Sequence, residues 1–179
     1  GANTLRAYHH LYDKELFRRL YKEAGLMVLC GDLFGMYAVG SGATWAEGTD
    51  YSNPKQQDAM LASVRAMVEE YKDEPYILMW VIGNENVYGV ANNAPKDPDA
   101  YFKLVNRAAE LIKSIDSTRP VAVSSGDILF MDSFARNCPA VDVFGMVEAM
   151  DWESVAQWSS GTVAMEKGLF TSLKRYVRV

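Results

Sequence analysis

Short apolar runs alternate along this chain with longer stretches whose apolar positions recur every three or four residues. Residues 3–8 read as a short strand. Asp13 then caps a helix whose apolar positions Leu16, Phe17, Leu20, Tyr21 and Ala24 share one face, and Gly25 stands where such a helix stops. Residues 26–30 form the next apolar run, ending on Gly31-Asp32. After a glycine- and aromatic-rich loop over 34–51, Asn53-Pro54 opens a second helix with Gln56 at the capping-box position. Its inward stripe is Met60, Leu61, Val64, Met67, Val68 and Tyr71, and Glu74-Pro75 closes it.

Residues 76–82 form an uninterrupted apolar run that ends on Gly83-Asn84-Glu85. A polar loop is expected over 86–96. Asp97-Pro98 begins a helix with the stripe Tyr101, Leu104, Val105, Ala108, Leu111 and Ile112. A strand over 120–124, a short helix over 129–137 and a strand over 141–146 complete the series. Five strands alternating with amphipathic helices predict an α/β protein built of parallel βα units.

Such units close into a (β/α)8 barrel or lie open in a doubly wound sheet. A dinucleotide-binding sheet carries Gly-x-Gly-x-x-Gly after its first strand; here Arg6-Ala7-Tyr8-His9-His10 stands in that place. Polar groups gather after strand ends (Arg6, His9, His10; Asp32; Asn84, Glu85), the arrangement of a barrel's catalytic face. A whole barrel takes about 250 residues, so 179 residues with five strands predict a partial TIM barrel over 1–146.

Composition narrows the partner. A formal charge of −5 argues against a nucleic-acid or anionic-membrane surface and suits a neutral ligand. No segment has the uninterrupted apolar length of a membrane span. The chain opens on Gly1-Ala2-Asn3 with no leader-type segment in view, and localisation stays open. Cys30 and Cys138 make no disulfide framework; Cys30, inside an apolar run, reads as a small core residue.

Gly1-Ala2-Asn3-Thr4-Leu5-Arg6, Tyr8-His9, residues 16–28, and Trp80-Val81-Ile82-Gly83-Asn84-Glu85-Asn86 together resemble the catalytic barrel of family-2 glycoside hydrolases, the group of β-galactosidases, β-glucuronidases and β-mannosidases. Ser117-Thr118-Arg119-Pro120-Val121 and Val141-Asp142-Val143-Phe144-Gly145 extend the resemblance to about residue 146. It implies a retaining β-glycosidase that hydrolyses O-glycosidic bonds by double displacement on a carbohydrate substrate, without a cofactor. It also implies flanking β-sandwich domains in the parent protein. Glu85 would be the acid/base and Asn84 would hold the sugar 2-hydroxyl. Burial beside Trp80 and a like-charged neighbour would raise the pKa of Glu85. A glucan transglycosylase of the same clan and a non-catalytic carbohydrate-binding barrel are the alternatives.

Arg6 resembles the arginine that steadies the family's nucleophile, or else makes a surface salt bridge. His9 is expected to line the sugar pocket. The His9-His10 pair has no Asp, Glu or Cys at metal-type spacing, so no metal site is expected. Asp32 reads equally as a sugar contact or a cap. Phe34, Tyr37 and Trp45 either stack on sugar or pack their loop down.

The expected second carboxylate is missing. The family's phrase Pro-Val-(Phe/Tyr)-Ile-Thr-Glu is nowhere in the chain, and from Val147 the barrel pattern dissolves into an atypical tail over 147–179. None of Glu148, Asp151, Glu153 and Glu166 follows an apolar strand. Residues 168–174 admit codons GGC CTG TTT ACA TCA CTG AAG, which two bases later read Pro-Val-Tyr-Ile-Thr-Glu. The tail is thus either frame-shifted or divergent, and the chain as written is expected to be catalytically incomplete.

Overall fold

A computed structural model of the chain describes residues 1–10, 12–93 and 96–146; the side chain of Met146 and the tail over 147–179 lie outside the described set. Five strands, β1 (Thr4–Ala7), β2 (Met27–Asp32), β3 (Ile77–Ile82), β4 (Val121–Ser125) and β5 (Val143–Met146), form one sheet in chain order. Every neighbouring pair is parallel. Helices α1 (Lys14–Ala24), α2 (Pro54–Tyr71), α3 (Asn86–Asn92), α4 (Pro98–Ile115) and α5 (Met131–Asn137) fill the connections. This is the consecutive strand order of a (β/α)8 barrel over five of its strands.

Local chemistry sets the helix ends. Asp13 accepts from the N–H groups of Glu15 and Leu16, and Gly25 ends α1 at φ 67°. Asn53 accepts from Lys55 and Gln56 ahead of Pro54. Gln56 departs from a capping box: its Oε1 takes the N–H of Asp50, because the Asn53 N–H is already bonded to the Asp50 carbonyl. Asp97 caps α4 through the Ala100 N–H.

The register separates two faces of the sheet. Cys30 pairs with Trp80 and Asp32 with Ile82, and between them Gly31 pairs with Val81. Cys30, Trp80 and Ile82 belong to the core built with Met60, Val64 and Met67 of α2 and Tyr101, Leu104, Val105, Ala108 and Ile112 of α4. Gly31, Val81 and Ala122 therefore lie on the opposite, concave face, as does Arg6, whose partner Leu29 pairs with Met79. The concave face leads to the carboxyl ends of the strands.

The stretch after Glu85 departs from the loop expected there. Residues 86–92 form α3 instead of a loop, because Val87 and Val90, one turn apart, are buried in the core. Helix α1 buries none of its residues, and Leu16 and Tyr21 are exposed. Among the described residues β1 pairs only with β2, so α1 packs at a sheet edge, mainly through Phe17. No described helix is long and apolar enough to cross a membrane.

The lower end of the sheet is locked by Ser117-Thr118-Arg119-Pro120. Arg119 donates to the carbonyls of Lys72, Glu74 and Ile77 and to the Asp116 carboxylate. Trp80, expected beside Glu85, is fully buried in the core and donates its Nε1–H to Asp116 at 2.9 Å. It closes the amino end of the sheet and forms no wall of the site.

Candidate active site

Gly83, Asn84 and Glu85 turn the chain out of β3 through two left-handed residues, Gly83 at φ 73° and Glu85 at φ 59°. Only glycine fits the first position: a Cβ there would stand 2.5 Å from Asn86 Oδ1. That Oδ1 accepts the N–H of Asn84 at 2.6 Å, and the Glu85 N–H donates to the Ser124 carbonyl at 3.0 Å. A left-handed non-glycine residue costs roughly 1–2 kcal/mol; these bonds hold Glu85 in it.

Asn86 reaches further. Its Nδ2 donates to the carbonyls of Leu33 and Phe34 and to the Tyr51 hydroxyl, tying the β2–α2 loop to the turn that carries Glu85. Gly126, after β4, closes the other side. A Cβ at Gly126 would meet Tyr88 Cε2 at 2.5 Å and Glu85 Cγ at 2.9 Å, and Tyr88 Oη donates to the Gly126 carbonyl. Asn86, Tyr88 and Gly126 were invisible to sequence reasoning as parts of the site. Only the Asn directly after Glu85 hinted at the first of them.

Arg6 reaches the turn that carries the half-buried Glu85. Arg6 Nη2 donates to the Gly83 carbonyl at 3.3 Å, and its guanidinium lies 4.6 Å from the Tyr8 ring centroid. Burial lowers its pKa from the ordinary 12.5, opposed by Tyr8 and Glu85, so Arg6 and Glu85 feel each other's charge. No carboxylate pairs with Arg6 among the described residues. Three buried side-chain polar atoms among the described residues lack any hydrogen-bond partner: Arg6 Nε, Asn84 Oδ1 and Tyr76 Oη. Two of the three sit where sequence places substrate contacts. Orphaned buried groups are costly and uncommon.

His9 and Asp32 have different surroundings. Asp32 is fully buried on the helix-facing side of β2. It accepts from Ser63 Oγ of α2 at 2.6 Å, from the Phe34 N–H at 2.7 Å and from His10 Nε2 at 3.2 Å. It holds the loop base and the histidine pair and faces α2 instead of the concave side. The Leu33 N–H donates to His9 Nδ1 at 3.3 Å. Burial lowers the His9 pKa below 6.5, against the pull of Asp32 and with a push from His10. His9 is thus neutral at pH 7 with its proton on Nε2.

The histidines do have an acidic neighbour that spacing concealed. His9, His10 and Asp32 bring ligand-type atoms within 4.8 Å of one another, with Asp32 supplied by the next strand. The lone pair of His9 Nδ1 is engaged by Leu33 and the Asp32 oxygens by Ser63, Phe34 and His10, so the cluster stands as a hydrogen-bond network.

Parallel strands in consecutive order with a Gly-Asn-Glu turn at one strand's carboxyl end match a family profile described as glycosyl hydrolases family 2, TIM barrel domain, over residues 1–168. The chain belongs to this family. Mannan endo-1,4-beta-mannosidase F of Aspergillus clavatus is 31% identical over 120 residues, covering 57% of this chain and 26% of that protein. Bacteroides uniformis beta-glucuronidase superposes with TM-score 0.65 at 18% identity, covering 89% of this chain and 19% of that one. A GH2 beta-galacturonidase from Eisenbergiella tayi, solved with galacturonate, gives TM-score 0.57 at 23% identity over 89% of this chain and 26% of that one. These structures speak to the family-2 barrel fold. The chain spans about a quarter of the mannosidase and a fifth of the glucuronidase.

Proposed function

We propose that this family-2 barrel carries the acid/base half of a retaining β-glycosidase acting on a carbohydrate by double displacement. Glu85 donates a proton to the glycosidic oxygen and then takes one from water. Asn84 holds the sugar 2-hydroxyl, His9 offers Nε2–H to another hydroxyl, and Arg6 binds the second carboxylate. That carboxylate is the nucleophile, set roughly 5 Å from the acid/base in retaining enzymes, and the chain as written offers no residue for it. No cofactor takes part. The flanking β-sandwich domains of the parent complete the protein.

The observation that carries this reading is the pair of orphaned atoms, Arg6 Nε and Asn84 Oδ1, beside Glu85. An incoming carboxylate satisfies the first and a sugar hydroxyl the second. Hydrogen bonds that form fully only as the oxocarbenium develops lower the barrier; bonds of equal strength in substrate and transition state lower only KM. The test is the anomer released first by the full-length protein from an aryl β-glycoside, followed by NMR. Retention of the β configuration is expected; an α product first would overturn double displacement.

A further inference from the structure

The β2–α2 loop treats its aromatic residues in two opposite ways. Phe34 is fully buried and Tyr51 nearly so, with Tyr51 Oη donating to the Phe34 carbonyl. Tyr37 and Trp45 remain 54% and 73% exposed, yet their rings stack with centroids 5.5 Å apart and planes 13° from parallel. The loop has an interior for aromatic rings, and these two are outside it.

Each ring sits on a small turn with its own internal bonds. Trp45 lies in a turn closed by the Gly48 N–H on the Thr44 carbonyl. Glu47 Oε2 there accepts from the Thr44 N–H and Oγ1, and Thr44 Oγ1 accepts from the Glu47 N–H. Tyr37 occupies a 3₁₀ turn (Met36–Ala38) in which Tyr37 and Ala38 are left-handed at φ 53° and 60°. Strain in non-glycine residues persists only where surrounding contacts fix it, and it concentrates at ligand sites. A fixed, exposed aromatic pair is surface area left open at a cost.

The loop is fastened to the turn that carries Glu85. It starts at Asp32, at the carboxyl end of β2, and Asn86 beside Glu85 binds its carbonyls. Gly48, at its far side, approaches Asn93 at the end of α3.

We infer that Tyr37 and Trp45 form a sugar-binding platform, on which a pyranose unit of an oligosaccharide packs beyond the unit held at Glu85. Pyranose faces present C–H groups of partial positive charge, which suit the negative face of an indole or phenol ring. The loop's other aromatics are committed to packing, so the platform is a separate subsite. This inference rests on the glycosidase reading in its orientation only; the binding itself needs no turnover.

The experiment is calorimetric titration of the full-length protein, with Glu85→Gln to stop hydrolysis, against β-linked gluco-, manno- and galacto-oligosaccharides of one to five units. The platform predicts that affinity rises with chain length. Trp45→Ala should then cost about 3- to 10-fold in oligosaccharide affinity, leave monosaccharide affinity unchanged, and be partly rescued by Trp45→Phe. Tyr37→Ala should follow the same pattern. Unchanged oligosaccharide affinity in Trp45→Ala, or equal losses for mono- and oligosaccharide, overturns the platform. Monosaccharide binding with no gain from added units overturns the platform alone. No binding of any sugar overturns both it and the glycosidase reading.

Discussion

Asn86 Oδ1 accepts the backbone N–H of Asn84 at 2.6 Å, while the same side chain's Nδ2 donates to two carbonyls and a hydroxyl of the β2–α2 loop. One amide, 1% exposed, fastens the Gly83-Asn84-Glu85 turn to the β2–α2 loop. Asn86→Ala strands the buried Asn84 N–H, at about 1–3 kcal/mol. It also removes one bond each from the Leu33 and Phe34 carbonyls and the Tyr51 hydroxyl, which keep their bonds from Met36 and to each other, at roughly 0.5 kcal/mol or more apiece. A loss of about 3 kcal/mol is expected by urea unfolding. Asn86→Asp should fare no better, since its carboxylate faces the carbonyls of Leu33 and Phe34. A loss below about 1 kcal/mol in Asn86→Ala would show that the clamp is not needed.

Gly126 limits where Glu85 can lie. The methyl of Gly126→Ala would stand 2.9 Å from Glu85 Cγ and 2.5 Å from Tyr88 Cε2, so both side chains must shift. Misplacement of a catalytic group by about 1 Å can cost roughly 100-fold. In the full-length enzyme kcat/KM should fall at least about 10-fold for glycosides with poor leaving groups, and much less for activated aryl glycosides. Equal activity on both substrate classes would mean that the acid/base tolerates displacement.

Acid stability should depend on Asp116. Burial pushes its pKa up, but bonds from Thr118, Arg119 and Trp80 outweigh burial and hold it at about 2, against an ordinary 3.8. A folded pKa below the unfolded one contributes stability at higher pH that is lost as pH falls through the folded value. The window is therefore about pH 4 down to 2, and the contribution is about 2 kcal/mol. Asp116→Asn should flatten the fall in melting temperature across that window. An unchanged slope would remove Asp116 from the account.

Both cysteines should be inert in the folded protein. Burial pushes the thiols of Cys30 and Cys138 up to about 12, and both side chains lie in the core. Neither should react with a disulfide reagent at pH 8 until denaturant is added, as followed by mass spectrometry of the labelled peptides. Prompt labelling of either would contradict the packing of β2 or of the α5–β5 turn.

The architecture was legible because each βα unit repeats the same two periods: apolar runs for covered parallel strands and a helical stripe capped by Asp13, Asn53 and Asp97. What escaped has physical reasons. Helix α3 is too short for a stripe, carrying only Val87 and Val90 toward the core. The stripe of α1 is real, but its apolar residues meet little at the sheet edge. Asp32 reads like a site residue from its position after a strand, yet an even–odd register turns it toward α2. Trp80 lies five residues before Glu85, but its indole points to Asp116 at the opposite end of the strand. The orphaned atoms of Arg6 and Asn84 emerged only in three dimensions, since sequence does not tell which polar atoms find partners.

The central claim is that Glu85 protonates the leaving group, and the dependence of Glu85→Gln on leaving-group acidity tests it most directly. In the full-length protein, kcat/KM should be nearly lost for alkyl glycosides and disaccharides. It should be largely kept for dinitrophenyl glycosides, whose leaving group departs without a proton. Wild-type turnover of the alkyl glycoside by Glu85→Gln, or an equal loss on both substrates, would contradict the assignment.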